Sequence, residues 1–316
     1  MTAFDLLSIG RVSVDLYAEQ TGSINDVTTF RKSIGGTATN VAVATARYGH
    51  RAALATRVGD DQFGRYVRHA LEHTFGVDPR FVGVHPTLKT PLAFAELDPP
   101  EDPNIIFYRE PAAPDMEIES SPALDEAVVD ASIFWVPASR FAFDRSRETL
   151  TALLELRDRR THTVLDLDWR PMFWESEAQA HERIAPMLDH VTIAIGNRKE
   201  CEVAVGTAEP DLAADRLLER GLTAAVVKLG GEGVMVATPD RRERLAPYPV
   251  PVVCGLGAGD AFGGAFCHGL IQGWDLSETV RYGNAAGAIV AGRMMCADDM
   301  PTGAEVDAFL AERDPR

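Results

Sequence analysis

The sequence predicts an α/β fold: a mainly parallel sheet sandwiched by helices, with a small antiparallel β lid. Three observations carry the prediction. Short apolar runs alternate with amphipathic helical patterns along most of the 316 residues, the rhythm of repeated βα units. Two pairs of strand-like segments interrupt that rhythm early. After residue 256 the pattern becomes helical to the end.

Taken in order, FDLLSIG (4–10) reads as a first buried strand and TATNVAVATARYG (37–49) as a helix ended by Gly49. AALATRVG (52–59) is a strand again, followed by a helical pattern from Gln62 to Phe75. SIFWVP (132–137), TVLDLDW (163–169), VTIAIGN (191–197) and AAVVKLG (224–230) are further buried strands, with helices at 145–159, 177–188, 198–205 and 211–220. The interrupting segments are 12–22 with 27–36, and 90–98 with 104–110, the second pair parted by the turn-forming PPEDP. They cannot continue a parallel sheet, so they form the lid, within about 12–36 and 90–110. The C-terminal helices fall at 257–272, 277–293 and 302–312. There is no repeat or low-complexity linker, and the expectation is one domain over 1–316.

Composition bounds the partners. The chain is 46% hydrophobic, enough to bury a sizeable core, and its formal net charge of −16 argues against a nucleic-acid surface. An anionic substrate would then need local arginines, although with 27 Arg against 4 Lys a single Arg says little. The cysteines Cys201, Cys254, Cys267 and Cys296 show no C-x-x-C spacing and read as thiols in a reducing compartment. No signal peptide or membrane-length apolar window is evident, so the expected location is the cytoplasm.

CGLGAGDAFGGAF (254–266) sets five glycines and three alanines around one charge, Asp260. It is not a dinucleotide fingerprint: the third glycine falls on Asp260 or Phe262, and the run lies near the C-terminus rather than on an early strand–helix turn. Nor is it a Walker A loop, since the chain has no Gly-Lys pair, and the HRD and DFG elements of protein kinases are absent. What remains is a helix start whose first-turn N–H groups lack intrahelical partners. Small residues let an anion approach them, and the helix dipole favours it. Gly257, Ala258 and Gly259 would receive a transferring phosphoryl group, and Asp260 would take a proton from an attacking alcohol. The alternative is that Asp260 only stabilises a helix start.

GAGDAF and IGGTATNVAVATARYG (34–49) resemble the C-terminal and N-terminal signatures of the ribokinase-like (PfkB) sugar kinases. The order of the other motifs fits: a strand carrying Asp15, Asn-x-x-Glu at Asn197–Glu200, and KLGGEG (228–233) before GAGD. The resemblance covers essentially the whole chain. It implies that Asp260 is the general base and that the amides of Gly257, Ala258 and Gly259 form the anion hole. It further implies that Asp15, Gly36 and Asn40 bind the sugar hydroxyls, and that Asn197 and Glu200 organise Mg²⁺, largely through water, and the ATP phosphates. Lys228, Gly230 and Gly233 would line the nucleotide site, with Asn284 near the adenine, and the lid would serve as a homodimer contact. Other readings stay open: Asn40 as a satisfied helix-interior residue, Asp15 as a solvated edge-strand residue, Lys228 as a surface cation. The family usually has Asp-Thr where this chain has Cys254-Gly255. A cysteine is a poor ligand for a hard cation, so the departure weighs against a monovalent cation.

For the acceptor, Arg109 at the end of a lid strand and Arg170 after TVLDLDW suit a carboxylate, because Arg binds carboxylates bidentately. Tyr108–Arg109 is similar to the carboxylate-binding element of the 2-keto-3-deoxygluconate kinases. GRVSVDLYAEQTG, DLDWRPMFW (166–174) and CADDMPT (296–302) look more like the branch of the family that phosphorylates C6 of 5-dehydro-2-deoxy-D-gluconate in myo-inositol catabolism. Arg11 is a further candidate contact and Arg31 a weaker one; the alternatives are that Arg170 touches only the ATP phosphates, or that Arg109 or Arg170 is a solvated lid charge. The rival functions are a kinase for 2-keto-3-deoxygluconate, fructose or a nucleoside, and a non-catalytic sugar- or nucleotide-binding regulator.

Overall fold

The structure, a computed structural model, describes residues 4–97, 99 and 103–313. Among them thirteen strands form two sheets. In chain order the strands are β1 (Leu6–Ile9), β2 (Ser13–Ala18), β3 (Phe30–Gly35), β4 (Ala52–Gly59), β5 (Val82–His85), β6 (Leu92–Glu96), β7 (Asn104–Tyr108), β8 (Ile133–Pro137), β9 (Thr163–Asp166), β10 (Ile193–Asn197), β11 (Ala224–Lys228), β12 (Val234–Ala237) and β13 (Arg242–Leu245). The α-helices are α1 (Thr37–Arg47), α2 (Gln62–His69), α3 (Pro122–Asp130), α4 (Asp144–Arg157), α5 (Glu177–Ile184), α6 (Arg198–Val205), α7 (Pro210–Glu219), α8 (Ala258–Gln272), α9 (Leu276–Ala291) and α10 (Gly303–Arg313).

The large sheet runs β13-β12-β11-β10-β9-β8-β1-β4-β5, parallel from β11 to β5, with β12 and β13 added antiparallel. Its strands read as apolar runs because both faces are covered. Ile133 and Trp135 of β8, Ile193 and Ile195 of β10, and Val226 of β11 pack into a core shared with α1, α8 and α9. Their neighbours Phe134, Val136, Ala194 and Val227 pack into a second core with α4 to α7 on the other face. Each fully buried Val, Ile or Phe among them contributes about 1.5–3 kcal/mol.

The small sheet is built from the four segments that interrupt the βα rhythm. β2 with β3 and β6 with β7 pair antiparallel, and the two hairpins meet through a parallel β2–β6 contact, giving the order β3-β2-β6-β7. Apart from Pro99 and Pro103, the PPEDP turn lies outside the described residues. Three things were not expected: α3, β5 and the β12–β13 hairpin. The helix expected over 62–75 is α-helical to His69 and closes with a π turn over Ala70–Thr74.

Part of the glycine run serves packing. A Cβ on Gly264 would lie 2.2 Å from Cβ of Ala44 in α1. α8 can therefore approach α1 closely, which brings the two helix starts to the same end of the sheet.

Candidate active site

Both helices begin outside the carboxyl ends of the parallel strands, where ligands bind in sheets of this kind. α8 opens at Gly257, which caps it with φ +80°, a left-handed conformation that disfavours a Cβ. One cavity lies on each side of this turn. Gly257 and Asp260 face a cavity of about 510 Å³ walled by lid residues, among them Ala93, Ala95, Ile105 and Phe107. Ala258 and Gly259 face a second of about 1090 Å³, lined also by Lys228, Gly230, Gly233 and Asn284.

In the first cavity stand Asp15, Gly36, Asn40, Arg11 and Arg170, together with Ser13, Tyr17, Thr37 and Cys296. Asn40 Nδ2 donates to Asp260 Oδ2 at 2.7 Å, while Asn40 Oδ1 is buried without a partner among the described residues. Burial pushes the Asp260 carboxyl up to about 6, against the pull of Asn40. Asp15 is likewise raised by burial, and donors on Ser13 (2.5 Å) and Tyr17 (3.3 Å) oppose the rise.

Arg11 is 5% exposed. Its Nη2 donates to Thr37 Oγ1 at 2.9 Å and lies 3.6 Å from Asp168 Oδ2, and its guanidinium stacks near Phe107 and Phe173. Arg170 donates through Nε to Asp168 Oδ1 at 2.9 Å. Burial opposes ionisation of Asp168, but Arg170 and Arg11 overcome it and hold the carboxyl down at about 2. The trio carries one net positive charge.

Arg109 does not reach this cavity. Its guanidinium is buried and donates to Asp115 Oδ1 at 2.6 Å, and Asp115 Oδ2 in turn accepts from the Val12 amide at 3.1 Å. The expected contact with substrate is therefore corrected: Arg109 buttresses the chain next to Arg11. Tyr108 is 64% exposed outside the cavity. Arg31 is an exposed lid cation 3.6 Å from Glu19.

Asn197 and Glu200 cap the start of α6 reciprocally: Asn197 Oδ1 accepts from the Glu200 amide at 2.9 Å, and Glu200 Oε2 from the Asn197 amide at 2.7 Å. Lys228 Nζ lies 4.0 Å from Glu200 Oε2 and 3.5 Å from where a Gly259 Cβ would be, so it is no detached surface cation. Burial opposes its charge, but Glu200, Asp166 and Asp260 outweigh that and keep it an ammonium. Asp166, at the end of β9, is pushed up to about 8 by burial, which outweighs the pull of Lys228, with the neighbouring carboxylates adding to the rise. Among the described residues no three His, Cys, Asp or Glu side chains form a direct metal-ligating group, so a divalent cation beside Lys228 and Glu200 would be held largely through water. Cys254 does not fit a hard cation: it is wholly buried, and burial pushes its thiol up.

Asp166, Asp168, Ser13, Tyr17 and Thr37 were not singled out as site residues. For the first two a signal was present in DLDWR, where acids two apart at a strand end share a face.

A family model described as pfkB family carbohydrate kinase matches residues 3–303. A 5-dehydro-2-deoxygluconokinase 1 of Bacillus cereus is 31% identical, covering 97% of this chain and 95% of the relative. Among solved structures, a fructokinase from Xylella fastidiosa with bound ATP superposes with TM-score 0.84 at 23% identity, covering 98% of each chain. A provisionally assigned ribokinase II from E. coli, in complex with ATP and Mg²⁺, does so with TM-score 0.87 at 21% identity, covering 98% of this chain and 99% of the other. At these identities the two structures establish the fold.

Proposed function

The chain belongs to the pfkB family of carbohydrate kinases, and on that premise we propose that it transfers the γ-phosphoryl group of ATP to the C6 hydroxyl of a keto sugar acid, 5-dehydro-2-deoxy-D-gluconate. The observation that carries the reading is that Arg11 and Arg170 share one cavity with Asp260. A net charge of one on the Arg11–Asp168–Arg170 trio matches a single carboxylate, and the guanidinium forks suit its geometry. The name of the Bacillus relative supports the same acceptor.

Asp15, Gly36 and Asn40 hold the acceptor's hydroxyls. Asp260, with Oδ2 on Asn40, takes the proton of the attacking hydroxyl on its other oxygen. The N–H groups of Gly257, Ala258 and Gly259 stabilise charge on the phosphoryl group as it passes between the cavities. Lys228, Gly230, Gly233 and Asn284 hold the nucleotide. Asn197 and Glu200 organise Mg²⁺ through water, and the ion, when bound, neutralises phosphate charge. The lid keeps water away from the phosphoryl group.

On this reading the chain is one kinase domain working in the cytoplasm in myo-inositol catabolism. It pairs as a homodimer through the lid, whose terminal strands β3 and β7 have no further strand beside them among the described residues. No helix among the described residues is long and apolar enough to cross a membrane.

The test is ADP release with Mg²⁺-ATP, comparing 5-dehydro-2-deoxygluconate, 2-keto-3-deoxygluconate and fructose. The expected result is kcat/KM at least about tenfold higher for the first. Arg170→Met should raise KM for the acids by roughly ten- to a hundredfold, the loss of a charged hydrogen bond, and leave fructose unaffected. A preference for fructose, or an equal effect of the variant on acid and neutral acceptors, would refute the assignment.

A further inference from the structure

CADDMPT has no part in the chemistry above, yet Cys296 lies at the junction of the two halves of the site. Its thiol backs the turn that opens α8: a Cβ on Gly257 would lie 2.7 Å from Cys296 Sγ. Its backbone N–H donates to the Tyr17 phenol oxygen at 3.2 Å. That phenol donates in turn to Asp15 Oδ2 at 3.3 Å, and Ser13 Oγ donates to the other carboxylate oxygen at 2.5 Å. Tyr17 is 1% exposed, and a buried phenol with one acceptor and one donor contact has both directions satisfied. Shortly after Cys296 in the chain the lid is tied down again, by Ser33 Oγ donating to Asp298 Oδ2.

We infer that Tyr17 is a positioning residue for the acceptor: anchored by the Cys296 amide behind the phosphoryl-binding turn, its phenol holds the Asp15 carboxylate where it meets the acceptor's hydroxyls. Asp15 rides on a lid strand and the phosphoryl turn belongs to α8. Without a link between them, the distance from hydroxyl ligand to anion hole would vary with every movement of the lid. The path from Cys296 through Tyr17 to Asp15 fixes that distance with two hydrogen bonds. The inference rests on the reading of Asp15 as an acceptor ligand.

The test is a double-mutant cycle on Tyr17→Phe and Asp15→Asn, read by ADP release. Tyr17→Phe keeps the ring in the core and removes only the hydroxyl. It should raise KM for the acceptor about tenfold, with kcat and KM for ATP within about twofold of wild type. In the Asp15→Asn background the same change should add little, because the carboxylate it positions is gone. Ser13→Ala, which removes the donor on the other oxygen, should mimic Tyr17→Phe. Fully additive effects, or a parallel loss of kcat and ATP affinity, would assign Tyr17 to general packing and overturn the inference. If Asp15→Asn leaves the acceptor KM unchanged, the reading of Asp15 itself fails, and this inference with it.

Discussion

Asn40 and Asp260 stand 220 positions apart in the chain, yet Asn40 Nδ2 donates to Asp260 Oδ2 at 2.7 Å. Each residue sits in the first turn of its helix, and the close packing of α1 on α8 brings those turns together. The carboxylate is thereby oriented and its basicity set, since burial drives its pKa up to about 6 while Asn40 draws it down.

A pH profile follows. As a base Asp260 must be ionised, so kcat should fall as pH drops through about 6. Asn40→Ala removes a donor that favours the ionised form. The acidic limb should then move up by about one pH unit, the equivalent of one hydrogen bond to a charged group. The kcat–pH curves of the two proteins, measured at saturating acceptor, check this; a limb that stays in place would separate Asn40 from the base.

Asp260→Asn should lose activity and gain stability. The rate should drop by roughly 10²–10⁴-fold, the share of a general base. The folded pKa, about 6, exceeds the ordinary aspartate value of 3.8. Wild-type stability is therefore lost as pH rises from the lower value to the higher, and the amide escapes that loss. Each unit is worth about 1.4 kcal/mol, and partial exposure trims the total to about 2 kcal/mol. Thermal melts at pH 8 should place the variant roughly 3 °C above wild type, with the gap closing by about pH 4. A variant melting lower at pH 8 would contradict a carboxylate whose ionisation is opposed by desolvation.

Arg109→Met should act on stability. It removes the cation bonded directly to the Asp115 carboxylate, which is fully buried and keeps the Val12 amide, with Arg140 and Arg11 close by. Breaking a buried pair by removing one partner costs about 3–5 kcal/mol, a fall of roughly 5–10 °C in melting temperature. The ratio of kcat/KM for acid and neutral acceptors should stay near the wild-type value in the protein that remains folded, because the side chain does not line the cavity. A selective loss of the acid would restore Arg109 to the substrate.

Arg109 also shows where reading the sequence stops. FYRE puts an arginine at a strand end, which is a local fact. Its partner Asp115, six residues on, is decided by how the loop after β7 folds back. Continuous apolar runs revealed β8 to β11, because strands covered on both faces must be apolar throughout. It passed over β13, whose sequence Arg242–Leu245 shows an exposed-intermediate alternation with little apolar content. The parallel β2–β6 contact pairs Val14 with Leu92, a separation that no turn residue announces. By contrast GAGD was legible because a helix start crowded with small residues and one acid has few physical uses. Asp168 was not, because its importance comes from the two arginines that converge on it.

Gly257→Ala tests the turn that separates the two cavities. Two effects oppose a methyl group there. With φ at +80°, an L residue is strained by about 1–2 kcal/mol. In addition its Cβ would lie 2.7 Å from Cys296 Sγ and 3.0 Å from Cys296 Cβ. The turn must shift, and amides aimed at a transferring phosphoryl group tolerate little displacement, so kcat should fall at least about tenfold. Melting should change by no more than a few degrees, since the site is at a helix start rather than in the core. Cys296→Ala in the same protein removes the sulfur but leaves Cβ and the backbone strain, so it should recover part of the rate. Full recovery would mean that the steric contact acts alone; no loss of rate in the single variant would remove the turn from the phosphoryl site.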